Sequence, residues 1–598
     1  MSHELNRRDA LRLGVAGGAA FVATQLPSAA VAAPPRFRPH GSPKGTTLDA
    51  TVRLGSPGRN GYRLLVAGPG EPRVVRDDLL AHRPQRKARP RPLLAFGQLT
   101  DTHLVDAQSP GRVEFLDRYS DPDQLGAAAP LDGQYRPHDM LTVQVAESMV
   151  QALNRVRRGP ATGVPMAFTI CTGDNVDNTQ YNELRWQIDV LDGQRVRPDS
   201  GDPRRYEGVA DPTHYDTRYW HPEGAPGREH PDLPRTRNGF PAVPGLLDSC
   251  RRPFHATGLD MPWLTTFGNH DGLMSGSVPP TAGGLRAMTT GGRKVIDLPP
   301  GTDVLQLLDG INTLDPGALA TLFAGPARSV TPDLQRRPLS RAETIAEHFR
   351  TASYPRGHGY TDWNRRTGNA YYAVDHGPVR CLILDTVNPN GGPNGSIDEQ
   401  QARWLAAQLA AGSSRHLDQH GRTVQNRCHD KLFAIFSHHT LDTMDNLAAP
   451  EGVTRYGGAA VRDLLLRHPN VIAWVNGHTH ENTVTPRRRP SNSTVAGGFW
   501  EISTAAHIDW PVQSRVIEVA DNRNGTLSVF GTIVDLASPL RYRHGATDPI
   551  NLASLARELS ANDWQPPSGG LDIRRGSVED RNVELLLPAP FGLGLTEQ

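Results

Sequence analysis

The chain has 598 residues, of which 37% are hydrophobic and 21% charged, and its formal net charge is +1. This length and composition are typical of a globular protein with a large buried core. The balanced charge excludes a global field that would recruit nucleic acid or an anionic membrane, so we expect no specific nucleic-acid binding.

Residues 1–32 are predicted to be an export signal. The paired arginines Arg7 and Arg8 precede a weakly apolar stretch, Leu13–Leu26, and Ala30–Ala32 offers a small-residue cleavage site. This order predicts a twin-arginine signal peptide, and with it export by the twin-arginine machinery to a secreted or cell-envelope location. The apolar stretch is too short to favour a transmembrane segment. The alternative is a disordered basic tail.

The four cysteines carry no metal-binding spacing. Cys171 and Cys381 lie in apolar runs and are predicted to be buried. Cys250 and Cys428 lie in polar segments and are candidates for a disulfide, which an exported protein permits. No CxxC motif is present, so a thiolate zinc site is not expected.

Residues 33–92 are predicted to form an N-terminal extension and linker. The segment is rich in Pro, Gly and Arg, and Arg83–Pro92 is typical of a linker. Upstream of that linker, Tyr62–Val66 is a candidate edge strand. We therefore expect the main domain to begin at Leu93.

The main domain, predicted for residues 93–535, opens with a strand–helix–strand unit. An apolar strand over Leu93–Leu99 is followed by a helix over Asp139–Arg157, in which apolar residues recur at helical spacing. A second apolar strand covers Met166–Cys171. Because such a unit crosses over in a right-handed sense, it predicts an α/β fold with a partly parallel sheet.

Two loop-rich stretches, residues 195–260 and 275–360, are predicted to be insertions that wall the site. Residues 536–598 are predicted to be a C-terminal appendage. The remaining strands and helices are expected, in chain order, over Met261–Phe267, Arg341–Arg350 (helix), Tyr371–Val374 with Val379–Leu384 (hairpin), Asp398–Ala411 (helix), Leu432–Phe436, Val471–Val475, Phe499–Ile502, Arg515–Val519, Thr526–Phe530 and Ile550–Leu559 (helix).

Polar side chains follow five of these apolar strands at the point where each strand ends. In α/β sheets, ligands gather at the carboxyl ends of the strands, so these side chains are expected to face one crevice. They offer oxygen and imidazole donors without a thiolate, which suits Mn, Fe or Zn. The residues are Asp101 and His103, then Asp174, then Asn269, His270 and Asp271, then His438, and finally His478 and His480.

These motifs, in this order, resemble the calcineurin-like metallophosphoesterase superfamily: Asp-x-His, Gly-Asp, Gly-Asn-His-Asp, a later His, and Gly-His-x-His. The resemblance covers residues 93 to about 510. With the export signal and the long insertions, the chain is similar to exported bacterial members. The resemblance implies a four-layer α/β-β/α sandwich with mixed sheets and long loop insertions.

The resemblance also implies a dinuclear centre of two divalent or trivalent transition-metal ions, Mn, Fe or Zn. Asp174 would bridge the ions, and a metal-bridging hydroxide would attack a phosphoester. His270 is implied as the general acid or a phosphate contact, with Asp271 as its orienting partner. The terminal ligands are implied as Asp101, His103 and His480 for one ion, and Asn269, His438 and His478 for the other.

The chain departs from the family pattern at one motif. Asn178 stands where an Arg often follows the second Asp, while that Asp is retained as Asp177 and is expected to hold a ligand in place. In purple acid phosphatases a tyrosine occupies the position of Asp177, so an iron–tyrosinate centre is not expected here.

Other polar residues near the motifs receive weaker predictions. His439 and His507 are candidates for substrate contacts, and His358 is predicted to be a turn residue, with lining of the site as the alternative. Asp385 is predicted to be a loop or cap residue, and Trp510 to pack in the interior. Arg487–Arg489 is predicted to be a solvated loop.

The sequence predicts an enzyme that hydrolyses a phosphoester, and leaves a phosphodiester and a phosphomonoester equally open. The alternative is a non-catalytic metal-binding or cell-surface interaction protein on the same scaffold. Loss of a ligand or of His270 would favour that alternative, and neither is lost.

Overall fold

The computed structural model describes residues 41–86, 88–129, 131–225, 227, 230–351, 353–565 and 570–593. The predicted signal peptide, residues 1–32, lies outside these ranges. Within them, no helix has the length and the apolar character that a membrane crossing requires.

The described residues form two large mixed sheets with five two-stranded ribbons around them. The ribbons pair Ala50–Pro57 with Arg63–Pro69, Arg195–Val196 with Phe254–His255, Arg293–Val295 with Ala327–Ser329, Ile397–Asp398 with Arg455–Tyr456, and Arg415–Leu417 with Thr423–Gln425. The strands of the large sheets are β1 Val74–Arg76, β2 Arg91–Leu99, β3 Phe168–Cys171, β4 Trp263–Thr265, β5 Tyr372–His376, β6 Val379–Ile383, β7 Leu432–Phe436, β8 Val471–Asn476, β9 Thr483–Arg488, β10 Gly498–Ser503, β11 Gln513–Asp521, β12 Thr526–Asp535 and β13 Val583–Pro588.

The first sheet has the strand order β1-β13-β12-β11-β2-β3-β4. Strands β2, β3 and β4 are parallel neighbours, and β11 joins them antiparallel to β2. The second sheet has the order β5-β6-β7-β8-β10-β9, in which β6, β7, β8 and β10 are parallel. The parallel strands of each sheet therefore end at one edge, where the predicted site residues follow them.

Thirteen α-helices are present in the described part of the chain, together with short 3₁₀ turns. The α-helices are α1 Thr142–Val156, α2 Tyr181–Leu191, α3 Leu233–Asn238, α4 Leu246–Ser249, α5 Asn269–Gly272, α6 Leu285–Thr290, α7 Val304–Asn312, α8 Pro316–Ala324, α9 Arg341–His348, α10 Asp362–Thr367, α11 Glu399–Ala411, α12 Gly458–Leu466 and α13 Pro549–Ser560. The 3₁₀ turns cover Arg59–Gly61, Glu114–Ser120, Gly126–Ala128, Asp139–Leu141, Pro212–His214, Leu334–Arg336, Leu441–Thr443 and Leu571–Arg575.

The strands are apolar on both faces because each sheet is covered on both sides. On the inner faces, Phe96 and Val519 of the first sheet share one buried cluster with Val475 and Trp500 of the second. Successive residues of a strand point to opposite faces, so Ala95 faces outward, into a separate cluster with α1, α2 and α13. On the far side of the second sheet, α11 and α12 pack in a third cluster.

The structure confirms the predicted mixed α/β elements and changes their ends. The strand predicted over Met261–Phe267 covers only Trp263–Thr265, preceded by Pro262, which has no N–H to donate to a neighbouring strand. The helix predicted from Asp139 begins at Thr142, after a 3₁₀ turn. The candidate edge strand at Tyr62–Val66 is present as Arg63–Pro69, in a separate ribbon.

The segments on either side of the main domain contribute strands to the first sheet. β1, from residues 33–92, pairs in parallel with β13, from residues 536–598. β13 also pairs antiparallel with β12, so it is an interior strand of the sheet. Helix α13 packs in the same cluster as α1. The predicted domain boundaries at 93 and 535 remain predictions. The first sheet includes strands from both sides of each boundary.

We expect that a chain ending at residue 581 does not fold. Deleting β13 uncovers the edge of β12 and removes apolar side chains such as Leu585, which is completely buried between the sheets. The loss is measured by far-UV circular dichroism and thermal denaturation. Full-length Leu585→Ala is the control, expected to stay folded and to lose about 2–5 kcal/mol of unfolding free energy. A truncated chain with a cooperative unfolding transition would contradict this expectation.

Two predictions about surface features are wrong. The candidate Cys250–Cys428 disulfide is absent and both cysteines are free; Cys250 Sγ lies 3.5 Å from Leu247 O, and Cys428 Sγ lies 3.9 Å from Ala410 O. Arg487–Arg489 is not a solvated loop. Its first two residues belong to β9, and Arg489 is buried, where it donates hydrogen bonds to backbone carbonyl groups.

Candidate metal centre

The segments that follow strands β2, β3, β4, β7 and β8 converge at one edge of the two sheets. They bring together all seven residues predicted as metal ligands. β2 leads into Asp101 and His103, and β3 leads into Asp174. β4 leads into the short helix α5, which begins at Asn269. From the second sheet, β7 leads into His438, and β8 leads into His478 and His480.

The ligand atoms of Asp101, His103 and His480 all lie within 4.8 Å of one another. His480 Nε2 is 3.4 Å from Asp101 Oδ1. His103 Nε2 is 3.6 Å from Asp174 Oδ2, so the predicted bridging carboxylate lies beside this set. The residues of the first predicted ligand set therefore lie together, and their role as ligands stays a prediction.

The second predicted ligand set surrounds the Nε2 atom of His438. This nitrogen is 3.0 Å from Asn269 Oδ1 and 3.2 Å from His478 Nδ1. It is also 3.1 Å from Asp174 Oδ2, which therefore lies between the two sets. The Asn269 amide nitrogen donates to Gly276 O at 3.2 Å, which turns the amide oxygen toward the site.

Five of the seven residues have a left-handed backbone, which is uncommon for residues other than glycine. The φ angles are 49° at Asp101, 40° at His103, 48° at Asp174, 71° at His478 and 59° at His480. Backbone hydrogen bonds hold this conformation, for example from His103 N to Asp174 O at 2.9 Å. Such strained residues cluster at functional sites, because the surrounding structure must compensate for their cost.

Two glycines allow the loops to approach each other closely. A Cβ at Gly268 would lie 2.1 Å from Asp174 Oδ1, and one at Gly477 would lie 2.3 Å from Asp101 Oδ2. Any side chain at either position would displace a carboxylate of the site. The glycine in each motif is therefore required by packing rather than by backbone freedom.

The residues fit a pair of metal ions. His103 Nε2 is buried without a hydrogen-bond partner, although a buried polar atom is normally satisfied. It faces Asp174 across 3.6 Å, a separation that an ion between them would bridge. Carboxylate, amide oxygen and imidazole donors are the set that Mn, Fe and Zn accept.

The buried acids and imidazoles of the site shift each other's protonation. Burial alone would lower the pKa of His438, but the charge of Asp174 and the hydrogen bond to it raise this pKa to about 9. Burial is likewise outweighed at His480, where hydrogen bonds to two carboxylates raise the pKa to about 9. Burial favours protonated Asp174, yet the charge of His438 holds its pKa well below the usual range. Metal ions binding here would displace these protons.

Carboxylates contact the Nδ1 atoms of two of the histidines, on the side of each ring away from the predicted metal-binding Nε2. His103 Nδ1 is 3.1 Å from Asp177 Oδ1, as expected for Asp177, and His480 Nδ1 is 2.6 Å from Asp509 Oδ2. Such partners fix the tautomer and the ring orientation of a metal-binding histidine. Sequence reasoning missed Asp509. Its position in the segment that follows β10 could have indicated it, because the segments after the neighbouring parallel strands carry predicted ligands and this one carries none.

His270 lies beside the predicted ligands without belonging to either set. Its Nδ1 is 2.8 Å from the carbonyl oxygen of Asp177. Because a carbonyl only accepts, Nδ1 carries a proton, which leaves Nε2 free to exchange one. The ring is partly exposed and packs edge-on against His103, with centroids 4.6 Å apart.

Asp271 does not orient His270, and this expectation is corrected. Its carboxylate accepts from the backbone N–H groups of Gly268, Asn175 and Val176 at 2.8–3.1 Å. As the third residue of α5, it caps the start of that helix and ties it to the loop after β3. The group that orients His270 is the Asp177 carbonyl.

The residues with weaker predictions lie away from the open side of the site. Both ring nitrogens of His439 contact protein oxygens, Thr386 Oγ1 at 2.8 Å and Pro393 O at 2.8 Å, and His507 Nε2 meets Ser514 Oγ at 2.8 Å. Both rings are buried and are not available to a substrate. His358 is buried beside Trp263, and Asp385 forms an ion pair with Arg341 at 2.7 Å. Trp510 is buried, as expected.

Asp563 is a buried carboxylic acid near Asp509 whose pKa predicts a pH-dependent stability. Burial raises this pKa to about 6, although a hydrogen bond from Gln565 opposes the shift. The unfolded chain releases this proton near pH 4. The stability contributed by the neutral acid is therefore complete below about pH 4 and is lost as the pH rises through about 6.

Asp563→Asn should remove this pH dependence, because the amide stays neutral and keeps an oxygen for the Gln565 N–H. We expect a higher Tm than wild type above about pH 6, and a difference that shrinks toward pH 4, in thermal denaturation across that range. A difference that does not change with pH would contradict the assignment. Asp548→Asn, an exposed helix-capping change, serves as the control.

No protein-family model matches the sequence, and no curated protein matches it. Among solved structures, the chain is similar to a dimetal phosphatase from Danio rerio, with 12% identity and a TM-score of 0.31 over 74% of this chain and 99% of that one. It is also similar to purple acid phosphatase PPD1 from yellow lupin (Lupinus luteus) seeds, with 10% identity and a TM-score of 0.25 over 81% of this chain and 56% of that one. TM-scores this low do not assign a fold or a function to this chain.

Proposed function

We propose that this chain is a metal-dependent phosphoester hydrolase of the calcineurin-like metallophosphoesterase type. The observation that carries the proposal is the convergence of seven oxygen and imidazole donors around Asp174, within which His103 Nε2 is buried without a partner. Five of these residues share a left-handed backbone, and such strained residues cluster at functional sites. The motifs that suggest the family in the sequence are the segments that form this centre.

The proposed ligands divide into two sets around the Asp174 carboxylate. Asp101, His103 and His480 would hold one ion, and Asn269, His438 and His478 the other, with Asp174 shared. When bound, the ions supply Lewis-acid polarisation of a phosphoryl oxygen and lower the pKa of a water molecule.

His270 is the proposed proton donor to the leaving group. Its Nδ1 is held by the Asp177 carbonyl, and its Nε2 is not occupied by either ligand set. A Cβ at Gly276 would lie 2.5 Å from that nitrogen, so the glycine keeps the approach to Nε2 open. Gly276 belongs to the second predicted insertion, which supports a role of that insertion in shaping the pocket.

The same proposal includes the four-layer α/β-β/α order of the family. It is supported by the cluster shared between the two sheets and by the separate clusters under α1, α2 and α13 on one side and α11 and α12 on the other. Export by the twin-arginine route is also proposed, on the sequence of residues 1–32 alone.

The test is turnover of bis-p-nitrophenyl phosphate and p-nitrophenyl phosphate by protein loaded with Mn²⁺, with the metal content measured in the same samples. We expect two ions per chain and hydrolysis of at least one ester. The ratio of the two rates decides between a diesterase and a monoesterase. Protein with two bound ions that hydrolyses no member of a phosphoester panel would establish the alternative, a non-catalytic metal-binding or surface-interaction protein. The retained His270, with its open Nε2, counts against that alternative.

A further inference from the structure

A buried series of charged side chains extends from His103 into the protein. Asp177, which holds His103, accepts a hydrogen bond from Arg112 Nη1 at 2.6 Å. Arg112 is 4% exposed, and its Nη2 donates to Asp139 at 2.6 Å. The guanidinium thus joins the partner of a proposed metal ligand to a second buried carboxylate.

A second series begins at His480 on the other side of the same ligand set. Asp509, which holds His480, accepts two hydrogen bonds from Arg136, at 2.6 Å from Nε and 3.1 Å from Nη2. This bidentate geometry fixes the plane of the carboxylate as well as its position. Arg574, from the C-terminal segment, adds an ion pair at 3.2 Å.

The two series meet in the segment Gln134–Asp139, which we name the strap. Asp139 Oδ2 accepts from Arg112 Nη2 and also from the backbone N–H of Arg136 at 3.1 Å. Gln134 O accepts from Arg112 at 3.0 Å, and His138 Nε2 lies 2.6 Å from the carbonyl of Ile508, next to Asp509. The strap therefore contacts Asp509, the partner of His480, directly, and it reaches Asp177, the partner of His103, through Arg112.

We propose that Arg112 and Arg136, joined through Asp139, are positioning residues that set the two histidines of one metal ion as a unit. The proposal rests on the proposed dinuclear centre. The ion concerned is the one held by Asp101, His103 and His480. The strap fixes the distance between the Asp177 and Asp509 carboxylates, and these fix the directions of the two imidazoles.

The other ligand set lacks this support in the described part of the chain. His438 Nδ1 faces the carbonyl oxygen of Thr172 at 3.0 Å, a neutral backbone group that belongs to the loop after β3. A change in the strap should therefore affect one ion and spare the other. Arginine is required rather than lysine, because only the planar fork reaches two carboxylates with fixed geometry.

The experiment measures the binding of Mn²⁺ to metal-free protein by calorimetry, in wild type and in Arg112→Gln, Arg136→Gln and Asp139→Asn. Each variant is expected to weaken one of two binding steps by about 10–100-fold and to leave the other unchanged. His480→Ala, which removes a ligand of the same ion, identifies the affected step. Arg112→Lys should recover only part of the affinity. The double variant Arg112→Gln/Arg136→Gln should lose less than the sum of the single changes, because both side chains position histidines of the same ion.

Arg328→Gln is the matched control, because Arg328 forms an equally buried ion pair with Asp211 at 2.9 Å and contacts no proposed ligand or ligand partner. It should bind both ions as wild type does. The proposal is overturned if the three variants bind both ions normally, or if they bind both ions equally more weakly than wild type. If Arg112→Gln does not fold, the other two variants carry the same expectation. Wild-type protein that binds no Mn²⁺ would instead contradict the proposed function.

Discussion

His270→Ala is expected to lower kcat by about 10²–10⁴-fold on esters with poor leaving groups, while both metal ions remain bound. The ring belongs to neither ligand set, so its loss removes no predicted metal donor. Its Nε2 is the only ring nitrogen free to pass a proton, because the Asp177 carbonyl holds Nδ1. A poor leaving group needs that proton, whereas p-nitrophenolate departs without it.

The measurement compares an alkyl phosphoester with the p-nitrophenyl ester of the same class, in wild type and in the variant, with the metal content determined in parallel. The rate loss should be much larger for the alkyl ester. His420→Ala, a change at an exposed histidine, is the control and should leave both rates unchanged. Equal losses on the two esters would remove proton donation from the role of His270, and loss of a metal ion would make it a ligand.

The convergence of the candidate ligands was predictable because each group of them follows an apolar strand. The strands β2, β3, β4, β7 and β8 read as continuous apolar runs, since both faces of each sheet are buried. A parallel strand delivers the residues after it to one edge of the sheet, so the order of the runs was sufficient to assemble the donors.

The supporting residues were not predictable, because their partners are distant in sequence. Arg136 and Asp509 are separated by 373 positions, and each residue alone is an ordinary loop residue. The strand β13 was missed for a related reason. Val583–Pro588 lies in a segment with many Pro, Gly and Arg residues, and only its pairing with β12 and β1 places it inside the sheet. Asp271 was predicted to orient His270 because the two residues are adjacent in sequence. In the structure its carboxylate instead caps helix α5 by accepting from Gly268 N.

Asp174→Asn is expected to abolish turnover and to reduce the bound metal to one ion per chain or fewer. Asp174 Oδ2 is 3.1 Å from His438 Nε2 and 3.6 Å from His103 Nε2, so one oxygen serves both ligand sets. The substitution keeps the shape of the side chain and the Oδ1 atom that accepts from His270 N at 2.8 Å. It removes the negative charge between two proposed cations, which would then repel each other without compensation.

The metal content of Asp174→Asn, measured beside its circular dichroism spectrum, separates loss of metal from loss of fold. Asp211→Asn is the control, because it neutralises another buried aspartate that pairs with an arginine and contacts no proposed ligand. That variant should keep two ions and full activity. If Asp174→Asn also keeps two ions and turns over at the wild-type rate, the ions are not bridged by this carboxylate, and the centre must be built from the two sets separately. We do not expect that result, because one oxygen of Asp174 lies close to both His103 and His438. Each of these imidazoles offers only a single donor to its ion, so each ion needs the shared carboxylate as a further donor.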